Sequence, residues 1–242
     1  MATMGHRFRA PAWLGAAAVA AACVLVRTAM SVEVDPGSYQ GRTEAAIREF
    51  RAAIELTPNL EHGKALFASC AECHQADGSG SADGMIPVIA GQHVSVLVKQ
   101  LVDFRHDRRW NARMQTTLQR HELDGAQDLL DVAAYAQFLK RPSPADAGSA
   151  DPGVQQEGRR IYYRDCERCH GRLGEGDLRT VRPRLAGQHY KYLLQQLVDT
   201  AAGQRPGMDE EHVKRIGALT DKERKSVADY LSRLSPELSS KN

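Results

Sequence analysis

Cys70-Ala71-Glu72-Cys73-His74 and Cys166-Glu167-Arg168-Cys169-His170 are the stretches whose residue types and spacing can do chemistry. Each reads C-x-x-C-H, the attachment pattern of a c-type heme. Two thiols three positions apart, on one turn of backbone, can each add across a vinyl group of the same porphyrin. The histidine that follows then lies beneath the iron, where an imidazole nitrogen can coordinate it. A zinc half-site or a redox dithiol would use the same spacing. The only other cysteine is Cys23, in the first apolar run, so no thiol remains to complete a zinc site, a disulfide or a cysteine ligand to iron. Two covalently bound heme c groups are expected, attached through Cys70, Cys73, Cys166 and Cys169, with His74 and His170 as proximal iron ligands.

The elements that must hold these groups occur twice. The motifs stand 96 positions apart. At the same offset Ala90-Gly91-Gln92-His93 repeats as Ala186-Gly187-Gln188-His189, and Gln100-Leu101-Val102-Asp103 as Gln196-Leu197-Val198-Asp199. Pro87 pairs with Pro183 and Arg109 with Arg205. Such identity indicates a duplicated domain. Each copy has a helix leading into the motif, with Gly63 and Phe67 in the first and Gly158 and Tyr162 in the second. A Gly-rich loop follows, then a helix starting near Gln92 or Gln188. Its Leu97 and Leu101, or Leu193 and Leu197, share one face. An irregular stretch holding a methionine precedes a last helix with Tyr135 or Tyr230. Thr220 to Glu223 reads as a capping box. No strand pattern is visible, so the fold class expected is all-α.

Before the repeat, residues 1–31 read as a signal peptide or membrane anchor. His6, Arg7 and Arg9 form a basic start, Trp13 to Val26 an apolar run, and Ala29-Met30-Ser31 a cleavage site. The run is short for a span of about 20 residues. Residues 32–58 form an N-terminal extension. Within it Ile47, Phe50 and Ile54 mark an amphipathic helix over Thr43–Leu56, ended by Pro58. That helix either packs on the first domain, the reading preferred, or docks a partner or the membrane surface. The domains expected are 59–140 and 156–235, joined by an exposed Pro/Ala/Ser-rich linker over 141–155 and followed by a tail over 236–242.

The 242-residue chain has a formal charge of +2, with 32 Lys and Arg against 30 Asp and Glu. Nothing in that balance suggests nucleic-acid binding. Four propionates and loss of the basic N-terminus would make the mature protein mildly acidic. Aromatic residues are few, at 6%. Two buried porphyrins would supply the missing apolar bulk. Covalent heme attachment places the protein on the outer face of an energy-transducing membrane.

Distal ligands are sought in the irregular stretch of each copy. Copy two holds one methionine between its motif and last helix, Met208. Copy one holds Met85 and Met114. Met85 faces Val181 in the repeat, which leaves Met114 and Met208 as the expected pair. A thioether is soft and raises the potential of the iron it binds. His93 and His189 are the rivals. They begin a helix and read as surface residues, while His62, His106, His121 and His212 have no repeat partner and read as solvated. Arg109 and Arg205 either neutralise a heme propionate or are solvated.

With these residues in view, the chain resembles the tandem diheme class I cytochromes c, most closely the cytochrome c4 family, over about residues 59–235. The resemblance rests on the two C-x-x-C-H motifs, the paired Pro-x-x-Ala-Gly-Gln segments, the Gln-Leu helix and a later Met in each half. It implies two small helical domains with hemes facing each other across an interface, and proline carbonyls of Pro87 and Pro183 that orient the proximal imidazoles. It also implies a periplasmic electron carrier, with a quinol-oxidising complex or dehydrogenase as donor and a terminal oxidase as acceptor. A subunit of a dehydrogenase or oxidase complex is the alternative, favoured by the extra N-terminal helix. A diheme peroxidase or thiosulfate-oxidising enzyme fits less well, because duplication argues against one specialised heme.

Overall fold

The computed structural model describes residue 1 and residues 44–120, 123–149 and 151–235. The expected signal peptide or anchor beyond Met1, His121 and the C-terminal tail lie outside these residues. The described elements are α1 (Glu44–Ile54), α2 (Leu60–His74), α3 (Val94–Arg105), α4 (Ala112–Arg120), α5 (Ala126–Phe138), α6 (Pro152–Asp165), α7 (Glu167–His170), α8 (Tyr190–Ala201), α9 (Glu210–Gly217) and α10 (Asp221–Ser232). Among the described residues there is no strand, only an isolated bridge between Asp177 and Arg182. No described helix is long and apolar enough to cross a membrane.

Each domain is built on a crossing between its motif helix and its last helix, α2 on α5 and α6 on α10. The crossings are close because a glycine sits at each. A Cβ on Gly63 would lie 2.0 Å from Asp131 O, and one on Gly158 would lie 2.0 Å from Ser226 O. One aromatic pair locks each crossing. Phe67 and Tyr135 stand 5.2 Å apart between ring centres, and Tyr162 and Tyr230 stand 5.7 Å apart. The capping box at Thr220 and Glu223 forms as expected and starts α10.

α1 packs on α3 and α5, with Ala46, Phe50, Ala53 and Ile54 buried in the first domain's core. Glu49 binds both Arg105 and His106. α1 is thus a part of the first domain, and its apolar face is covered. Two expectations are corrected here. The stretch carrying Met114 is helix α4, not irregular, because Asn111 caps it. The linker is shorter and less exposed than its composition suggests: Asp151 caps α6, Pro152 takes the first-turn position, and Arg141 is buried.

Candidate heme centres

The motif histidines end α2 and α7, and both are buried. His74 Nδ1 donates to Pro87 O and His170 Nδ1 donates to Pro183 O, each at 3.0 Å. A carbonyl can only accept, so Nδ1 carries the proton and Nε2 keeps its lone pair for a metal. Burial, the dominant influence on both, pushes these imidazoles below their usual range and keeps them neutral. Burial also pushes the Cys70 thiol up to about 11 and the Cys166 thiol up to about 12. A zinc site or redox dithiol needs thiolates, which this setting disfavours. Among the described residues no cluster of three or more His, Cys, Asp and Glu could hold a bare metal ion.

Both motifs open on one continuous cavity of about 1870 Å³. Single cofactor pockets run to about 1,000 Å³, so this space suits two large cofactors side by side. Pro87, Pro183, Met85, Met114, Met208 and His212 also line it. The residues present therefore fit two porphyrins, each tethered by a C-x-x-C pair and held beneath by an imidazole. Met85 is 54% exposed. Met114 N–H donates to Asn111 Oδ1 at 3.1 Å in the first turn of α4. Met208 sits in the turn before α9, its N–H donating to Arg205 O at 3.0 Å.

The domains meet through a pseudo-symmetric lock. Gln188 Nε2 donates to Val88 O at 2.8 Å, and its Oε1 accepts from Val88 N at 2.9 Å. Gln92 does the same to Arg184 O and N, both at 2.9 Å. Each glutamine thus grips the residue next to the proline whose carbonyl holds the other domain's histidine. His93 Nε2 donates across to Glu175 O at 2.8 Å, and His189 Nε2 across to Ser79 O at 2.9 Å. These histidines are interface residues, with His189 only 1% exposed, and not the surface residues their sequence position suggests. Arg141 bridges Ala90 O and Ala186 O, each at 2.9 Å. Val181 and Leu178 of the second domain pack into the first domain's core.

Arg109 and Arg205 also face each other across this contact. Arg109 donates to Gln100 Oε1, Tyr192 OH and Gln196 Oε1 at 2.6–2.8 Å, and Arg205 donates to Gln100 Oε1 at 3.2 Å. Arg205 Nε is buried without a partner. Burial, and next the charge of Arg109, push Arg205 down to about 10. Both line the cavity, where an anionic group would relieve the crowding of two cations. His212 is the largest departure from the sequence reading. It is half-buried, not solvated, with its ring 6.3 Å from that of His170. Burial and then His170 push it down to about 4. His62 and His106 are partnered, by Asp131 at 2.9 Å and Glu49 at 2.6 Å.

Paired helical domains, each with a thiol pair and a carbonyl-held imidazole on a shared cavity, define a diheme c-type cytochrome. The Cytochrome c family model matches residues 60–140 and 155–235. Cytochrome c4 of Azotobacter vinelandii is 30% identical over 188 residues, covering 71% of this chain and 87% of that protein. The thiosulfate dehydrogenase electron acceptor of Stutzerimonas stutzeri (strain A1501) is 32% identical over 178 residues, 69% of this chain and 79% of that protein. The crystal structure of reduced recombinant cytochrome c4 from Pseudomonas stutzeri matches with a TM-score of 0.65 at 28% identity, covering 74% of this chain and all of that one. The chain belongs to the cytochrome c4 family of diheme electron-transfer proteins.

Proposed function

We propose that this protein carries single electrons between respiratory-chain partners on the periplasmic side of the membrane, and that it is a carrier and not an enzyme. The observation that bears most weight is the twin arrangement of His74 and His170, each held by a proline carbonyl at 3.0 Å on one shared cavity. Heme c supplies a one-electron iron couple when bound. The chain's own residues do the rest. Cys70 and Cys73 tether one porphyrin, and Cys166 and Cys169 the other. Pro87 and Pro183 fix the ring plane and tautomer of the proximal ligands, which tunes the metal they hold. Met114 offers a distal thioether in the first domain, while Met208 and His212 both reach the cavity in the second. Arg109 and Arg205 stand where heme carboxylates would be neutralised. The apolar wall, with Phe67, Phe104 and Leu193, excludes water. An iron held by a proximal imidazole and a distal side chain would have no site left for a substrate, which favours transfer alone.

The donor is a quinol-oxidising complex or a dehydrogenase and the acceptor a terminal oxidase. Covalent heme attachment and the export segment at residues 1–31 support the periplasmic setting, either free or tethered to the inner membrane. A second reading, as the electron acceptor of a thiosulfate-oxidising dehydrogenase, is favoured by the relative that carries that description. Stopped-flow mixing of the diheme protein with each candidate separates the two. Oxidation of the reduced protein by terminal-oxidase membranes within milliseconds supports the first. Reduction of the oxidised protein only by a thiosulfate-oxidising dehydrogenase and its substrate supports the second. Rapid peroxide reduction by the pure protein alone would overturn both.

A further inference from the structure

We infer that the second domain's iron takes His212, not Met208, as its distal ligand, so that a bis-histidine heme stands beside a histidine–methionine heme in the first domain. The inference rests on the proposed heme-binding reading and assigns a ligand that the repeat, counted along the chain, misses.

Helix caps set the true register of the two copies. Asn111 opens α4: its O accepts from Gln115 N at 3.0 Å, and its Oδ1 from Met114 N at 3.1 Å. Asp209 opens α9 in the same way: its O accepts from Val213 N at 3.1 Å, and its Oδ1 from His212 N at 2.7 Å. Met114 and His212 are therefore the same position, the third residue of a helix begun by the same cap. Helices started alike send that side chain the same way. Met208 stands just before its cap. Its counterpart is Trp110, which is 72% exposed. The slip arises because Asp209 follows Arg205 by four residues, whereas Asn111 follows Arg109 by two.

The distance agrees. A metal–imidazole bond is about 2 Å. A five-membered ring with bonds of about 1.33 Å places each nitrogen about 1.1 Å from the ring centre. Two imidazoles on one iron therefore hold their centres about 6.2 Å apart. His170 and His212 stand at 6.3 Å, with ring planes at 50°. Any angle between planes is allowed, since each ring need only contain the iron axis. His212 lines the cavity, and its Nδ1 is buried without a partner, which leaves Nε2 as the nitrogen available to that space. A thioether in place of the second imidazole raises the potential. The second domain's heme is therefore the lower in potential, and an electron arriving there passes downhill to the first.

The test uses the full oxidised chain, with two hemes confirmed by mass. Its near-infrared charge-transfer band for methionine-ligated ferric heme should have half the intensity that two such hemes give. Met114→Ala should abolish the band and Met208→Ala leave it intact. His212→Met should double it and raise the lower of the two potentials. His212→Ala should yield one high-spin heme that added imidazole returns to low spin. A wild-type band of two-heme intensity, or its halving in Met208→Ala, overturns the inference and leaves the electron-carrier reading standing. Fewer than two attached hemes overturns both. Should the His212 variants fail to fold, the wild-type band intensity decides alone.

Discussion

His74 and His170 show how few contacts an axial imidazole requires. One hydrogen bond from Nδ1 to a proline carbonyl sets the tautomer, the ring plane and the free nitrogen together. Burial pushes the first thiol of each motif, Cys70 and Cys166, upward, a setting that suits a thioether bond and not a thiolate ligand. Attachment is therefore local to each motif. A chain with Cys70→Ala and Cys73→Ala should carry one heme, and the Cys166→Ala, Cys169→Ala chain should carry the other. Mass spectrometry of the acid-denatured proteins reads this directly. Loss of both hemes from either variant would show that attachment is not independent.

At the scale of elements, each domain stands on a helix crossing that only glycine permits. Gly63→Ala must push α2 off α5, because backbone at 2.0 Å cannot yield as a side chain can. Overpacking of this kind costs about 1–3 kcal/mol, which denaturant melting of the holoprotein should show. Gly158→Ala should behave alike at the α6–α10 crossing. α1 makes a separate case. Phe50 is fully buried among residues of α3 and α5, so Phe50→Ala should cost about 3–5 kcal/mol. If α1 instead served a partner, the variant would leave the melting curve of the isolated protein unmoved.

For the whole molecule, the domain contact carries more than adhesion. Gln188 grips Val88 beside the proline that holds His74, and Gln92 grips Arg184 beside the proline that holds His170. Each domain thus steadies the other's proximal ligand. Gln188→Leu should shift the first domain's potential more than its own, and Gln92→Leu the second domain's more than its own. Potentiometric titration of the two hemes tests this crosswise pattern. A uniform shift would reduce the glutamines to plain interface contacts.

Much of this molecule was legible along the chain, because heme attachment, helical periodicity and capping are local chemistry. The C-x-x-C-H pairs, the duplication, the amphipathic face of α1 and the cap at Thr220 all act within a few residues. What stayed hidden depends on contacts 45 to 110 positions apart. His93 and His189 look like polar residues at helix starts, and only docking shows that each reaches a carbonyl of the other domain. Arg141 looks like the first residue of a solvated linker, yet it bridges Ala90 and Ala186. His212 was invisible for a subtler reason. Two extra residues before Asp209 shift the count, and alignment along the chain then pairs the wrong side chains. The chain by itself determined that there are two domains, and it marked the thiol pairs and the imidazoles proposed to tether and hold each heme. Only the tertiary structure set Met114 and His212 at the same place in α4 and α9, because a helix takes its register from its cap and not from its distance to the preceding motif.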